Sequence, residues 1–493
     1  MGSYPTMTTT QTQQVHFLLF PFMAQGHMIP MVDIAKLLAT RGAKVTIVTT
    51  PVNAARFKSP IRRSNLRIDL VELRFPGVEA GLPEGCENVD LLPSFAYIQS
   101  MMKAAAMMEP QIYKYLCHCL QVESLLESMR VKPDCIISGF CLPYVDNVAK
   151  KFNVPREEIA RMVGSDQEYF VLPGMPGEIK FSNAQLPLQI WKNGHQDPEE
   201  ESRRLHVMKV DSEAYGVIVN SFEELEPEYF SEYKNSRQGK IWCVGPVSLT
   251  NLDELDKIQR GNYNISLTHE SLEWLNTKES KSVLYICLGS ICNLSSQQLI
   301  ELALGLEASE TPFVWAIREK GFTKDLFTWI TNDGFENRVA GRGLLIKGWA
   351  PQLSILSHSS VGGFLTHCGW NSSLEGISAG IPLVTWPLFG DQFSNEKLIV
   401  DVLKIGVRIG AEKPTFRSGK EETTEVSVRR EDVERAVRLA MEGGKDGDRR
   451  RKRTGELAGM AWKAVERGGS SYKNVDLLIQ DIAKHQEERR NHG

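Results

Sequence analysis

The sequence lacks any long hydrophobic run and any recognisable export signal. No stretch of its 493 residues approaches the about 18 consecutive apolar residues of a membrane-spanning helix. Residues 1–14 are polar and have no basic start of the kind that opens a signal peptide. Cysteine is sparse, with nine residues scattered along the chain, which is typical of reduced thiols. We therefore expect a cytoplasmic protein without a membrane span.

The chain also lacks a strong excess of charge of either sign. Its net charge is -4, which gives no reason to expect a nucleic-acid partner. The basic run at 449–453 lies in a helical pattern, and we interpret it as a solvated helix face rather than a nuclear signal or an anion patch. Hydrophobic residues make up 42% of the chain and charged residues 24%, as in ordinary globular proteins. The length predicts two domains.

What the sequence does contain is a regular alternation of short apolar runs and helical patterns, which predicts β/α units in parallel sheets. The predicted strands are 15–22, 44–49, 135–138, 216–220, 241–244, 282–289, 313–317, 344–347, 361–365 and 382–385. Residues 246–268 lose this periodicity and are rich in Asn, Asp, Gly and Thr, which is typical of a linker. The pattern predicts an α/β fold of two facing Rossmann-like domains with a cleft between them.

The predicted domains are residues 15–245 and residues 269–460, joined by the linker 246–268. A C-terminal helix at 461–486 is expected to pack back on the first domain. In open parallel sheets, ligands bind beyond the carboxyl ends of the strands. The active site is therefore expected in the cleft between the two domains.

The segment 349–392 holds the densest group of candidate binding residues. Trp349 offers a flat face to a uracil ring, and such stacking is worth roughly 1–3 kcal/mol. Gln352 can bond the polar atoms of a uridine. A predicted strand then delivers His367 into a turn, and Trp370 opens a helix whose free N–H groups and dipole favour a diphosphate.

The remaining polar residues of this segment suit the other parts of a nucleotide sugar. Asn371 and Ser372 add side-chain donors beside His367 at the diphosphate. Glu375 lies one helical turn beyond Asn371, where its carboxylate can reach two ribose hydroxyls. Asp391 and Gln392 follow the next strand and can bond the hydroxyls of the sugar.

Each of these residues also has an ordinary explanation when taken alone. Trp349 is equally well explained as a core aromatic, His367 as a buried histidine with satisfied hydrogen bonds, and Glu375 as a surface charge. Their occurrence together in one short segment favours a nucleotide-sugar site.

The segment resembles the signature of the plant secondary-product UDP-glycosyltransferases, an inverting family with two Rossmann-like domains of the GT-B type. The likeness extends from residue 15 to about residue 482. It includes Gly289-Ser290 after the first strand of the second series and the tail Gly468-Gly469-Ser470-Ser471. The surrounding sequence is most similar to the branch that glucosylates flavonoids, triterpenoids and other hydroxylated plant metabolites.

The resemblance implies a donor substrate, an acceptor and further site residues. A glutamine at the position of Gln392 usually accompanies glucose as the donated sugar in this family, so UDP-glucose is the expected donor. Ser290 and Ala350 join the expected donor-site residues. No separate cofactor and no metal are implied, and a monomer acting on a small hydroxylated acceptor is expected.

His27 follows the first predicted strand, in an expected loop at 24–30. A histidine at the carboxyl end of a strand, facing a cleft, is suited to act as a general base near neutral pH. It would take the proton of the acceptor hydroxyl while that oxygen attacks the anomeric carbon and UDP departs. The alternative is a loop histidine of no consequence, and the resemblance favours the base.

Two departures from the family pattern predict that catalysis is slow or lost. The family orients this histidine with an aspartate, and the matching position here is Gly139. A carboxylate would fix the tautomer and stabilise the imidazolium. Asp134 lies at the opposite end of that strand and Asp146 lies two helical turns further on, so neither is a convincing substitute.

The second departure follows Pro155. The family has another strand there, then a cleft loop and a helix that lines the acceptor pocket, whereas residues 156–159 run directly into a polar stretch. We therefore expect a missing central strand in the first sheet, for which a faulty gene model and a decayed duplicate are both explanations. Two functions stay open: an active UDP-glucose-dependent O-glucosyltransferase, and an impaired or inactive UDP-sugar-binding paralogue.

Two other enzyme classes fit the sequence poorly. An NAD-dependent dehydrogenase is disfavoured because no G-x-G-x-x-G follows a strand with an acidic residue at the end of the next strand. A metal-dependent transferase is disfavoured because no Asp-x-Asp pair lies at a strand end. Helix and side-chain donors would then have to stabilise the departing diphosphate.

Overall fold

The structure is a computed structural model that describes residues 14–121, 133–139, 141–142, 156–159, 170–171, 179–182, 185, 209–261, 265–291, 294–318, 324–415 and 426–491. The strands in this part of the chain are β1 (His16–Phe20), β2 (Lys44–Thr49), β3 (Ile68–Glu72), β4 (Cys135–Gly139), β5 (Arg156–Ile159), β6 (Phe170–Val171), β7 (Lys180–Phe181), β8 (Gly216–Val219), β9 (Ile241–Cys243), β10 (Val283–Cys287), β11 (Phe313–Ile317), β12 (Gly343–Lys347), β13 (Val361–Thr366), β14 (Leu383–Thr385) and β15 (Gly406–Arg408).

The α-helices of the described residues are α1 (Gln25–Thr40), α2 (Pro51–Ser64), α3 (Ile98–Ala106), α4 (Glu109–Gln121), α5 (Pro227–Ser236), α6 (Glu254–Ile258), α7 (Ile265–Asn276), α8 (Ser296–Ser309), α9 (Lys324–Asn332), α10 (Phe335–Arg338), α11 (Gln352–Leu356), α12 (Trp370–Ala379), α13 (Gln392–Lys397), α14 (Arg430–Met441), α15 (Lys445–Val465) and α16 (Ser470–Asn491). Helices follow most strands because parallel neighbours can be joined only by crossover connections.

Two parallel sheets form the framework. The first has the strand order β3-β2-β1-β4-β5-β8-β9, and the second has the order β12-β11-β10-β13-β14-β15. In the first sheet the chain moves outward from β1 and then returns to place β4 on the other side of β1. The second sheet repeats this reversal at β10 and β13. Each reversal opens a crevice at the carboxyl ends of the strands, which is where ligands bind in such sheets.

Helices cover both faces of each sheet. Along β1, Phe17 and Leu19 lie in the apolar cluster shared with α1 and α16, whereas Leu18 and Phe20 lie in the cluster on the opposite face. Successive side chains of a strand point to opposite faces, so a strand covered on both sides is usually apolar along most of its length. This confirms the prediction of two Rossmann-like units from continuous apolar runs.

The expectation of a missing central strand in the first sheet is wrong. β5 lies between β4 and β8, with Ile136 paired to Arg156 and Glu157 paired to Gly216. Interior strands of parallel sheets are usually apolar, yet three of these four residues are charged. The ladder still forms because its hydrogen bonds join backbone groups, which every residue here supplies.

The segment between the two series of strands is not devoid of structure. Within 246–268 there is a 3-10 helix at Val247–Thr250, then α6, and then the start of α7. Beyond the second sheet, the region 461–486 contains the end of α15 and most of α16. Asn474 on α16 donates to the carbonyl oxygen of Cys243 at 3.1 Å, so α16 packs beside β9 of the first sheet.

No helix in the described part of the chain is both long enough and apolar enough to cross a membrane.

Candidate active site

A cavity of about 920 Å³ lies at the carboxyl ends of both sheets and is lined by residues of both halves. This volume is within the range of small-molecule sites. All of the residues that the sequence predicts for the base and the donor site line it: His27, Ser290, Trp349, Ala350, Gln352, His367, Trp370, Asn371, Ser372, Glu375, Asp391 and Gln392. The fold therefore brings residues that are far apart in the sequence to one cavity.

The candidate base lies in the crevice between β1 and β4. His27 is in the first turn of α1, so the expectation that it lies in a loop is wrong by one helical turn. The ring of Phe22 meets the imidazole edge-on, with ring centroids 5.5 Å apart. A Cβ atom built on Gly139, at the end of β4, would lie 3.8 Å from Nδ1 of His27. Gly139, where the resemblance places the family's aspartate, therefore lies beside the imidazole of His27.

The two nearby aspartates do not fill that position. Asp134 lies at the amino end of β4, where its carboxylate accepts a hydrogen bond from the backbone N–H of His16 at 2.8 Å and another from Gln486. It thus ties β1 and α16 together at the opposite end of the strand, as predicted. Asp146 lies outside the described residues.

A proline in α1 creates the direct link between the two halves. Pro30 lies inside α1 and has no N–H, so it cannot bond the carbonyl oxygen of Gly26 four residues earlier. That carbonyl oxygen accepts a hydrogen bond from Nδ2 of Asn371 at 2.7 Å. The first turn of α1, which carries His27, is thereby joined to the first turn of α12.

Asn371 is engaged by the first half on both ends of its carboxamide. Its Oδ1 accepts from Nδ2 of Asn220 at 3.2 Å, and the indole N–H of Trp370 donates to the carbonyl oxygen of Asn220 at 2.6 Å. Asn371 was expected to offer its side chain to a diphosphate. In this structure the side chain also joins the two halves, and no sequence pattern marks Asn220.

The crevice between β10 and β13 holds the residues predicted to bind the diphosphate. His367 follows β13, and its imidazole is wedged between two glycines. A Cβ atom would approach Nε2 of His367 to 2.6 Å at Gly289 and to 2.4 Å at Gly369, which no side chain could accommodate. Gly369 is also the N-cap of α12, whose first N–H groups have no partner within the helix and attract anions.

Glu375 lies with Trp349 and Gln352 at the end of the cavity that is predicted to bind the nucleoside, called the nucleoside end below, and is only 5% exposed. One carboxylate oxygen accepts from Nε2 of Gln352 at 2.7 Å, and the other accepts from Nη1 of Arg260. Gln352 also donates to Oγ of Ser372 at 3.1 Å. These bonds leave Glu375 lone pairs for further donors such as ribose hydroxyls.

Gln392 and Asp391 lie at the far end of the donor box. The side-chain oxygen of Gln392 accepts from the backbone N–H groups of Leu388 and Phe389 at 2.8 and 3.1 Å. Backbone donors fix which end of the carboxamide is oxygen, so the amide N–H₂ is what Gln392 can offer to a sugar. Asp391 accepts from Asn395 at 2.7 Å, and its carboxylate can accept from sugar hydroxyls.

Sequence reasoning missed the residues that support this site from outside the donor box. Arg260 bonds both Glu375 and Asp33, a residue of α1. Burial acts to lower the pKa of Arg260, but the two carboxylates outweigh it and raise the pKa above its ordinary value. Arg260 lies in the predicted linker, where no periodicity or motif marks it.

The described residues contain no cluster of His, Cys, Asp and Glu side chains arranged to hold a metal ion.

Comparison with known proteins identifies the class. The family model for UDP-glucoronosyl and UDP-glucosyl transferase matches residues 248–411. UDP-glycosyltransferase 73C5 of Arabidopsis thaliana is 49% identical over 499 residues, which cover 96% of this chain and 98% of that protein. UDP-glycosyltransferase 73C11 of Barbarea vulgaris is 49% identical over 497 residues, covering 96% of this chain and 97% of that protein.

Solved structures agree with the sequence relatives. The crystal structure of Glycyrrhiza uralensis UGT73P12, complexed with glycyrrhetinic acid 3-O-monoglucuronide, superposes with a TM-score of 0.85 at 34% identity, covering 97% of this chain and 98% of that chain. Arabidopsis thaliana UGT89C1, complexed with quercetin, superposes with a TM-score of 0.72 at 28% identity, covering 96% and 100%. The fold and cavity are therefore those of a glycosyltransferase with two Rossmann-like domains.

The chain belongs to the plant UDP-glycosyltransferase family, and several of its relatives carry the 73C designation. It is accordingly a glycosyltransferase enzyme whose donor is a UDP-sugar.

Proposed function

We propose that this protein is a UDP-glucose-dependent O-glucosyltransferase that acts with inversion on a hydroxylated small plant metabolite, of the flavonoid or triterpenoid type. The observation that carries the proposal is the junction between the base and the donor box. Asn371 donates to the carbonyl oxygen of Gly26 at 2.7 Å, and His27 is the next residue. The candidate base and the candidate diphosphate site therefore face one cavity.

The reaction follows from this placement. An acceptor hydroxyl beside His27 gives its proton to the imidazole as its oxygen forms a bond to the anomeric carbon. The bond from that carbon to the diphosphate breaks on the opposite side, so the configuration inverts. Charge grows on the departing UDP, where the N-terminus of α12 and the donors around His367 can stabilise it.

The acceptor class rests on two supports. Apolar side chains, Phe22 and Ile291 among them, line the cavity beside its polar groups, as expected for a site that binds a ring system carrying hydroxyls. The related structures are complexed with glycyrrhetinic acid 3-O-monoglucuronide and with quercetin.

A second function is favoured by one specific observation. Gly139 has no side chain to offer Nδ1 of His27, although a Cβ atom there would lie 3.8 Å away. An impaired or inactive UDP-sugar-binding paralogue would keep the donor box and lose the orienting carboxylate. The donor box would then bind UDP-glucose without transferring the sugar.

A donor and acceptor screen separates the two functions. Purified protein is incubated with UDP-glucose and a panel of flavonoid and triterpenoid alcohols, and acceptor-dependent UDP release is followed together with the His27→Ala variant. The proposal expects release that requires both an acceptor and His27. Calorimetric binding of UDP-glucose without acceptor-dependent release from any compound would establish the binding protein instead.

A further inference from the structure

The linker between the two halves contributes a buried polar network to the nucleoside end of the cavity. Nε of Arg260 donates to Oδ2 of Asp33 at 2.9 Å, and its Nη1 donates to Oε1 of Glu375. Asn251 donates to the other oxygen of Asp33 at 2.9 Å, and Lys36 donates to Asn251 at 3.1 Å. The linker is thus bonded to α1 of the first half and to α12 of the second.

The two buried carboxylates of this network require a positively charged partner that can bond both of them, which a guanidinium can do. Asp33 is 1% exposed and Glu375 is 5% exposed, and burying carboxylates is costly unless they are paired and hydrogen-bonded. Arg260 reaches both because its planar fork carries donors on different nitrogens, whereas a lysine ammonium is a single point charge.

The next residue of the linker touches the other nucleoside-binding candidate. Gly261 has φ +98°, and a Cβ atom there would lie 2.4 Å from Cζ2 of Trp349 and 3.1 Å from Cδ1 of Ile29. The linker backbone therefore packs directly against the indole. Only a glycine combines this backbone conformation with such a close approach.

We propose that Arg260 and Gly261 form the back wall of the uridine subsite and are positioning residues for donor binding. Arg260 holds the carboxylate of Glu375 in place as an acceptor for the ribose hydroxyls, and Gly261 sets the position of the indole of Trp349. The inference rests on the proposed function, because it assigns Glu375 to ribose and Trp349 to uracil. It extends the donor site beyond residues 349–392 to a segment that precedes the second sheet.

A pair of ligands that differ in one hydroxyl tests Arg260. Binding of UDP and of 2′-deoxy-UDP is measured by calorimetry on the parent, and the ratio of the two affinities reports the contact between Glu375 and the ribose. Arg260→Met should weaken UDP binding by about 10- to 100-fold, the effect of one or two hydrogen bonds to a charged group. It should also bring the ratio close to one, which a general loosening of the linker would not do.

The matched control removes a different ion pair of the same linker. Arg63 on α2 pairs with Asp256, whose second partner is Lys36 at 3.8 Å and not Glu375, so Arg63→Met should leave the ratio as in the parent. If Arg260→Met does not fold, Arg260→Lys gives the same comparison, because one ammonium cannot replace both bonds. A folded Arg260 variant that discriminates between the ligands as well as the parent overturns the inference.

The role of Gly261 is tested by comparing the UDP affinity of the Gly261→Ala variant with that of a control variant, Gly341→Ala. Gly341 also has a positive φ, +81°, but a Cβ atom there meets nothing within 4 Å, so the control carries the backbone strain without the contact. Gly261→Ala should weaken UDP binding while the control does not. Equal affinities of the two variants would remove Gly261 from the subsite.

The parent protein separates this inference from the proposed function. A parent that binds no UDP contradicts the proposed function itself. A parent that binds UDP and 2′-deoxy-UDP equally contradicts the ribose role of Glu375. If the parent prefers UDP over 2′-deoxy-UDP and the Arg260 variants keep the same preference, the result counts against the role of Arg260 alone.

Discussion

Nδ1 of His27 faces the end of β4, where a Cβ atom on Gly139 would lie 3.8 Å away. From a Cβ at that distance, a carboxylate oxygen of an aspartate reaches hydrogen-bonding range of the imidazole. The tertiary structure therefore presents the family's orienting position intact while the sequence leaves it without a side chain. This relationship defines the most direct test of the proposed mechanism.

Gly139→Asp should raise the rate of glucosyl transfer. The new carboxylate would fix the tautomer of His27 and stabilise the imidazolium, so we expect a gain on the order of 10²–10⁴-fold, the usual worth of a well-positioned acid–base group. The gain should appear in the chemical step measured by single-turnover kinetics. The Michaelis constant for UDP-glucose should change little, because position 139 lies on β4 of the first sheet.

The control for this variant is the double change His27→Ala with Gly139→Asp, which should show no gain because the aspartate works only through the imidazole. Circular dichroism and a thermal melt must first show that the variants are folded. A well-folded Gly139→Asp variant no faster than its parent would mean that the segment after Pro155 limits the rate, or that His27 is not the base.

Glu375→Ala should weaken UDP-glucose binding by about 1–3 kcal/mol, since the ribose hydroxyls would lose their acceptor and Gln352 and Arg260 would lose a buried partner. Glu375→Gln keeps the shape of the side chain and should show a smaller loss. Calorimetry of both variants against UDP-glucose measures the effect. Unchanged affinity in the alanine variant would remove Glu375 from the ribose role.

Glucose should be preferred over galactose and glucuronate as the donated sugar. Gln392 offers an amide N–H₂ and Asp391 a carboxylate, which together suit hydroxyls, whereas the charge of Asp391 would repel a uronate. Initial rates of UDP release with the three UDP-sugars at one acceptor concentration check this order. Turnover of UDP-glucuronate equal to that of UDP-glucose would contradict it, and Arg318, which also lines the cavity, would then be the residue to substitute.

Glu226, at the start of α5, should make stability depend on pH. Burial raises the pKa of this carboxyl from 4.5 to about 7, while the hydrogen bond from Ser221 acts to lower it. Between these two values the folded chain holds a proton that the unfolded chain has lost, so the free energy of unfolding falls as pH rises through this window.

Glu226→Gln removes that dependence. Relative to the parent it should gain roughly 1–2 kcal/mol on going from pH 5 to pH 8, a value below the full shift because Glu226 borders a cavity that water enters. Thermal midpoints at the two pH values measure the gain. Glu228→Gln, on the exposed side of the same helix, corrects for the change in net charge. If the thermal midpoints of the parent and the Glu226→Gln variant differ by the same amount at both pH values, the raised pKa of Glu226 is contradicted.

The sequence by itself determined the local elements and the chemistry of the donor box. Strands buried on both faces consist mainly of apolar and β-branched residues, so 44–49 and 313–317 could be assigned residue for residue. The residues of the donor box lie close together in the chain, on a strand, a turn and a helix start whose local geometry brings them to one edge of a sheet.

Only the tertiary structure decided what depends on contacts between distant segments. Arg260 meets Glu375 across 115 positions of sequence, and no local pattern encodes that pair. His27 was expected in a Gly-containing loop, whereas the helix begins at Gln25. The carbonyl oxygen of Gly26, which Pro30 leaves unbonded, is used by Asn371. The strand at Arg156–Ile159 forms because backbone hydrogen bonds between β4 and β8 complete the sheet regardless of side chain, which a reading of hydrophobic runs cannot detect.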